Sequence, residues 1–288
     1  MVTEKKPIDH SIDADVLADF AVQALLEEVR LTPKPGLVDY DNNGCHFDLN
    51  LSLMELSANT LRSTFKEMAQ AVRTQRPSQQ VREILAMIGR DGERKMLAAT
   101  GNVNTHKGAI WTLGLITGAA AMLLSVKYPE EITTKSILNV AGQIAVFQDR
   151  YVPKSITNGS LVRKRYSVRS AREEAAMKFP SLQNVALPAL ANFSHEPQQI
   201  QRLNVLLSLM AITDDTCILN RSDMEVLDKI KATSNKIVEN GGMGKVQNRA
   251  RFQELDRFIT ENWVSPGGSA DLLAAVIYLE KITDSLKK

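Results

Sequence analysis

Four short stretches carry residue types that handle phosphate and positive charge. In "TPKPGLVDYDNNGCHFDLN" (32–50), Pro33 and Pro35 stiffen the backbone around Lys34, and Gly36 permits a tight turn. A lysine held on a rigid loop is a point charge suited to phosphate. Asp39, Asp41, His46 and Asp48 follow on the same loop. Closely spaced carboxylates supply the oxygen ligands that Mg²⁺ takes beside phosphate oxygens; the competing reading is a polar turn with side-chain caps. In "TGNVNTHKGA" (100–109), Asn104 or Thr105 is placed to cap a helix that begins near His106. The free N–H groups of such an end, with Lys107 and Gly108, make an anion cradle. The plain alternative is a capped core helix whose lysine reaches water. His106, taken by itself, reads as a hydrogen-bonded structural histidine. In "TDDTCILNR" (213–221), Asp214 and Asp215 repel each other unless a cation, a capped backbone or solvent takes the charge. In "SPGGSADLLAA" (265–275), Pro266, Gly267 and Gly268 predict a turn, Ser269 an N-cap and Asp271 a first-turn acid.

The elements that must position these residues are helices. Apolar residues at helical spacing mark 14–30, 51–72, 78–99, 105–126, 130–148, 169–179, 198–213, 222–240, 246–262 and 269–286. An interruption is expected near Gly89 and Gly92. Strand alternation is absent from the pattern. The expected fold is therefore all-α, a single multi-helix domain over 14–288 with functional loops at helix ends, after a flexible N-terminus at 1–13. The apolar run 108–126 reads as a buried core helix rather than a membrane span.

Thirty-five basic against thirty-three acidic residues leave a formal charge of +2, which argues against a general nucleic-acid or membrane binder and makes any anion site local. Two cysteines, Cys45 and Cys217, form no disulfide framework and no zinc motif, so a cytoplasmic location is expected. Two further motifs are decoys. "NGGMGKV" (240–246) has Glu239 and Val246 where a phosphate-binding loop needs glycine and serine or threonine. The basic run "VRKRYSVRSAR" (162–172) reads as a solvated face or a patch for one polyphosphate ligand.

Taken in order, "TPKPGLVD", "GCHFDL", "NTHKGAI", "DDTC" and "PGGSADLL", with "AREEAAMKFPSLQNVALPAL" (171–190) among them, resemble the triphosphoribosyl-dephospho-CoA synthase family from about residue 20 to 280. The resemblance implies an all-α enzyme that moves the triphosphoribosyl group of ATP to the 2′-hydroxyl of 3′-dephospho-CoA and releases adenine. It implies ATP as substrate, beside which the carboxylates of these stretches suit Mg²⁺ as cofactor. The product, passed to a holo-acyl-carrier-protein synthase, would be the prosthetic-group precursor of malonate decarboxylase or citrate lyase. "DDTCIL" looks closer to the malonate decarboxylase branch. No nucleic acid or membrane partner is implied; a homodimer is compatible with the helical pattern.

For such a reaction the residues divide as follows. Lys34 and Lys107, with the backbone from Thr105 through His106 to Gly108, suit the triphosphate, and Gly36, Arg221, Gly267, Gly268 and Asp271 complete the nucleotide site. Asp39, Asp48, Asp214 and Asp215 suit Mg²⁺ or the ribosyl cation, and His46 or one of these carboxylates suits the general base. Two segments depart from the family pattern: Ser222 and Asp223 stand where Gly-Gly is usual, and Phe47 stands where a basic residue is common. Another nucleotide-using transferase, or a non-catalytic helical binding protein with decayed motifs, would share the scaffold. All of these roles require the distant loops to converge on one rim of a helical body.

Overall fold

Several helices open on a local side-chain cap. The Asp13 carboxylate accepts from the Val16 N–H at 2.9 Å and opens α1 (Ala14–Arg30). The structure, a computed structural model, describes residues 12–152 and 158–287. Order begins earlier than the expected flexible N-terminus allows, since Ile12 is already buried and Asp13 is the cap; residues 1–11 lie outside the described range. The helices that follow are α2 (Leu51–Thr60), α3 (Arg62–Val72), α4 (Gln79–Ala99), α5 (Lys107–Leu124), α6 (Thr134–Ala145) and α7 (Asn158–Tyr166). After these come α8 (Ala171–Ala176), α9 (Leu187–Asn192), α10 (Gln198–Met210), α11 (Thr216–Arg221), α12 (Met224–Glu239), α13 (Arg249–Glu261) and α14 (Gly267–Ser285). The fold is all-α, with no strand among the described residues.

The structure differs from the periodic pattern in several places, and the short helices α7, α9 and α11 were not expected from it. The helix expected over 51–72 breaks at Leu61, where the Asn59 and Thr60 side chains turn back onto the carbonyls of Glu55 and Leu56, each at 2.8 Å. The helix expected to falter near Gly89 and Gly92 runs unbroken as α4. Gly92 is there for packing: a Cβ on it would stand 2.5 Å from Thr64 Cγ2 of α3. A π-helical turn, Leu182–Ala186, leads into α9 and was not legible as a separate element.

The apolar α5 lies at the centre, in contact with α3, α4, α6 and α14. It is long and apolar enough to cross a membrane, yet it is buried on nearly all sides among the other helices. α1 packs on α3, α5 and α14. The buried apolar side chains form one continuous cluster, in which Phe65, Leu113, Ile116 and Tyr278 are fully enclosed. α5 and α14 run parallel. Near their starts Gly108 meets Asp271, and about two turns on Thr117 Oγ1 meets Tyr278 Oη at 2.9 Å. Two positive helix ends therefore emerge at the same place, which is unfavourable unless negative charge sits there.

Candidate active site

Negative charge does sit there. The Asp215 carboxylate accepts from the Ser269 N–H at 2.9 Å, the Ser269 hydroxyl at 3.2 Å and the Gly268 N–H at 3.2 Å, all at the start of α14. It also accepts from the Cys217 N–H at 2.9 Å, at the start of its own helix α11. One buried side chain thus caps two helices from different parts of the chain. Ser269 is inside α14 rather than at its N-cap, and Gly267 and Gly268 are helical rather than a turn, because the cap comes from Asp215. Asp271, one turn into α14, faces the start of α5, where the Ala109 backbone N–H favours its charged form. A Cβ on Gly108 would stand 1.9 Å from Asp271 Oδ2, so only glycine lets the carboxylate approach this closely.

The anion cradle expected at Thr105–Gly108 is thus already filled by a carboxylate of the protein. Burial, then Glu28 and Asp215, push the Asp271 carboxyl well above the usual carboxylate range. Burial also raises Asp215, against the hydrogen bonds it accepts. Behind this pair, Lys34 is buried, donating to Glu28 Oε1 at 2.5 Å and to the Glu28 carbonyl at 2.7 Å. Burial raises Glu28 while Lys34 opposes it. Lys34 is therefore neutralised within the protein and not presented as a free phosphate ligand.

Between the α5 and α14 starts and the segment from Arg169 to Ser181 lies a cleft of about 680 Å³, measured out to its open mouth. Gly108, Asp214, Asp215, Gly268 and Asp271 line it, so three of the four sequence stretches meet in one place. Asp214 is also held by Lys231 at 2.7 Å.

The fourth stretch contributes by support. His46 Nε2 lies 2.9 Å from Ser265 Oγ, and Arg221 donates to His46 Nδ1 at 3.2 Å and to the Cys45 carbonyl at 2.8 Å. These contacts tie the loop to α11 and to the segment that leads into α14. Burial, then Arg221, lowers His46 to about 4. Both ring nitrogens are engaged, which leaves no direct role as general base in this arrangement. Asp39 is consumed by its own loop, accepting from the N–H groups of Lys34, Asp41 and Asn42 and from the Thr32 hydroxyl. Gly36 holds that loop at a φ of 69°, with its Cβ direction blocked by the Val264 carbonyl at 2.6 Å. Asp48 is exposed beside His46 at 3.8 Å. Asp39, Asp48, Asp214 and Asp215 are thus not one metal site, and among the described residues no three His, Cys, Asp or Glu side chains gather as ligands.

Lys107 points outward to Glu93 at 2.5 Å. His106 is the N-cap residue of α5 but caps nothing with its side chain. Its Nδ1 meets Ser57 Oγ at 2.7 Å, Ser57 Oγ meets Thr105 Oγ1 at 2.5 Å, and its buried Nε2 has no partner. Burial, with Lys34 nearby, lowers His106 to about 4.

The two family departures have local explanations. Ser222 (φ −148°) and Asp223 (φ −132°) adopt no left-handed backbone, and Asp223 caps α12 through the Val226 N–H at 3.1 Å. Phe47 stacks on Trp263 with ring centroids 4.4 Å apart. The decoy "NGGMGKV" closes α12, with Gly241 and Gly242 donating back to Val238 and Ile237.

Sequence reasoning missed Glu28, Glu174 and Ser181, whereas Arg169 lies in the basic run 162–172, read as a solvated face or a patch for one polyphosphate ligand. Glu28 had a signal, since it falls on the buried face of α1 among Ala21, Leu25 and Val29. Glu174 and Ser181 had none, because the Ser181 N–H that binds Glu174 at 2.7 Å is brought there by the tertiary turn at Lys178 and Phe179.

The fold and the cleft define a class: an all-α protein with an acidic cleft where helix ends meet. The family model of the ATP:dephospho-CoA triphosphoribosyl transferases (CitG) matches residues 14–288. A Pseudomonas fluorescens protein described as a probable 2-(5''-triphosphoribosyl)-3'-dephosphocoenzyme-A synthase is 42% identical over 272 residues, 93% of this chain and 92% of its own. A Klebsiella pneumoniae protein described as a 2-(5''-triphosphoribosyl)-3'-dephosphocoenzyme-A synthase is 40% identical over 270 residues, 92% of this chain and 94% of its own. The chain belongs to the ATP:dephospho-CoA triphosphoribosyl transferase family. No solved structure matches it.

Proposed function

We propose that the protein transfers the 5-triphosphoribosyl group of ATP to the 2′-hydroxyl of 3′-dephospho-CoA, with release of adenine. The observation that supports it most is the meeting of Gly108, Asp214, Asp215, Gly268 and Asp271 around one cleft in a chain of this family. In the reaction the glycosidic bond from C1′ to adenine breaks, a bond from C1′ to the acceptor oxygen forms, the 2′-hydroxyl loses a proton and adenine gains one. The transition state gathers positive charge on the ribose, as in glycoside hydrolysis. Carboxylates in a restricted cleft stabilise that charge more than water would. Asp214, half-buried and paired with Lys231, suits either the acceptor proton or a cation. Asp271, which holds its own proton longest, suits protonation of the departing adenine.

The donor set also fits Mg²⁺ in the form that ion prefers, one or two carboxylates together with substrate phosphates. Asp214 is the side chain that would hold it, and the ion would neutralise the triphosphate. The malonate decarboxylase branch is favoured by "DDTCIL". The free cysteines Cys45 and Cys217 support a cytoplasmic location. Incubation with ATP, Mg²⁺ and 3′-dephospho-CoA tests the reaction. Free adenine is the expected product. ADP or pyrophosphate would point to another nucleotide-using transferase, and no turnover to a binding protein. Supplying the product with a holo-acyl-carrier-protein synthase and either acyl-carrier subunit tests the branch, with the malonate decarboxylase subunit expected to be modified.

A further inference from the structure

The basic run 162–172 has no part in the chemistry above, yet its course brings it to the cleft. α7 packs on α11, where Val162 is buried and Tyr166 Oη donates to the Ser222 carbonyl at 3.2 Å. The chain turns at Ser167 (φ 55°) and enters the cleft wall, to which Arg169, Ser170, Ala171 and Glu174 contribute. Among the described residues that line the cleft, Glu174, Asp214, Asp215 and Asp271 are acidic and Arg169 alone is basic. A polyphosphate tail is repelled along most of this surface and attracted at one point. The Arg169 side chain is 47% exposed, so its guanidinium sits at the rim. One N–H reaches Glu174 Oε2 at 3.3 Å. A guanidinium has five N–H donors, so most remain for a ligand. Glu174 is itself held by the Ser181 N–H, which sets the direction of the fork. Lys164 and Arg165, exposed on α7, extend the positive field outward.

We propose that Arg169 binds the terminal phosphates of the donor nucleotide at the mouth of the cleft, with Lys164 and Arg165 drawing the tail toward it. The inference rests on reading the cleft as the donor site. It places the triphosphate at the rim and the sugar near Asp271, the order in which ATP would enter from its charged end outward.

The test compares wild type with Arg169→Ala and Arg169→Lys, by steady-state kinetics and by calorimetric binding of inorganic tripolyphosphate. Arg169→Ala is expected to raise KM for ATP roughly 10- to 100-fold, the effect of losing a charge-assisted contact, and to weaken tripolyphosphate by a similar factor. KM for 3′-dephospho-CoA should stay within about twofold. Arg169→Lys, which keeps a point charge and loses the fork, should recover part of the loss. Unchanged KM for ATP and unchanged tripolyphosphate binding in Arg169→Ala overturn the proposal. So does an equal loss for both substrates, or no recovery in Arg169→Lys, since either marks a collapsed wall. Wild type that binds tripolyphosphate through Arg169 but releases no adenine overturns the reaction and leaves the anion site standing. Adenine release that ignores Arg169 does the reverse.

Discussion

Gly108 and Asp271 show how one missing methyl group can be a requirement. In Gly108→Ala the new Cβ would overlap Asp271 Oδ2, and the carboxyl would have to leave the Ala109 N–H. Overpacking of this kind costs about 1–3 kcal/mol. Adenine release should fall on the order of 100-fold, as for loss of one preorganised catalytic group; normal turnover would remove Asp271 from the chemistry. Lys107 stands differently. As a phosphate ligand it would cost on the order of 100-fold when truncated. With its ammonium held by Glu93 outside the cleft, Lys107→Ala should change kcat/KM by less than about tenfold, as for an exposed ion pair. His106 carries a pH dependence. Its folded pKa of about 4 lies below the unfolded 6.5, so between these values the unfolded chain takes up the proton first. Stability from this group is intact above about 6.5 and is withdrawn as pH falls toward 4, by roughly 3 kcal/mol. The raised carboxyls of Asp215 and Asp271 act with the opposite sign, so the measurement is a difference: urea midpoints of wild type and His106→Gln should converge between pH 7 and pH 5.

At the scale of elements, Asp215 joins α11 to α14. Asp215→Ala strips both caps and leaves the N–H groups of Cys217, Gly268 and Ser269 without their acceptor. The expected loss is about 2–4 kcal/mol, two caps together. Asp215→Asn keeps an acceptor and should recover much of it in chemical denaturation. A stable Asp215→Ala variant that releases no adenine would instead make Asp215 a direct participant. The α2–α3 break belongs here too. Leu51–Val72 has one continuous apolar spacing, and the break at Leu61, beside the side-chain bonds of Asn59 and Thr60 to their own helix, was not legible in it. The pair Ser222 and Asp223 teaches the converse. Replacing glycines there is harmless to the backbone, since the chain is extended at both and Asp223 gains a cap.

At the scale of the molecule, two parallel helix starts and four carboxylates share one cleft, and the ligand must reconcile them. A triphosphate approaching that surface calls for a divalent cation. EDTA is therefore expected to stop adenine release and added Mg²⁺ to restore it; full activity in EDTA removes the metal from the mechanism. The amino-acid order by itself determined the all-α class, most helix spans, the decoy at 240–246 and the family, because periodicity, glycine placement and contiguous motifs are local properties. It also marked three stretches whose residues the fold brings to one cleft. It could not assign their roles. Asp39, Asp214, Asp215 and Asp271 are chemically alike in sequence, and the fold alone makes one a loop brace, one a partner of Lys231 at the cleft, one a double cap and one an acid set against the start of a second helix. Lys34 looked free because its partner Glu28 hides on a helix face, and the choice between a solvated face and a polyphosphate patch for the run holding Arg169 stayed open because nothing local says that its turn lines a cleft. Burial and pairing depend on which distant backbone arrives alongside, and that is settled only when the helices pack.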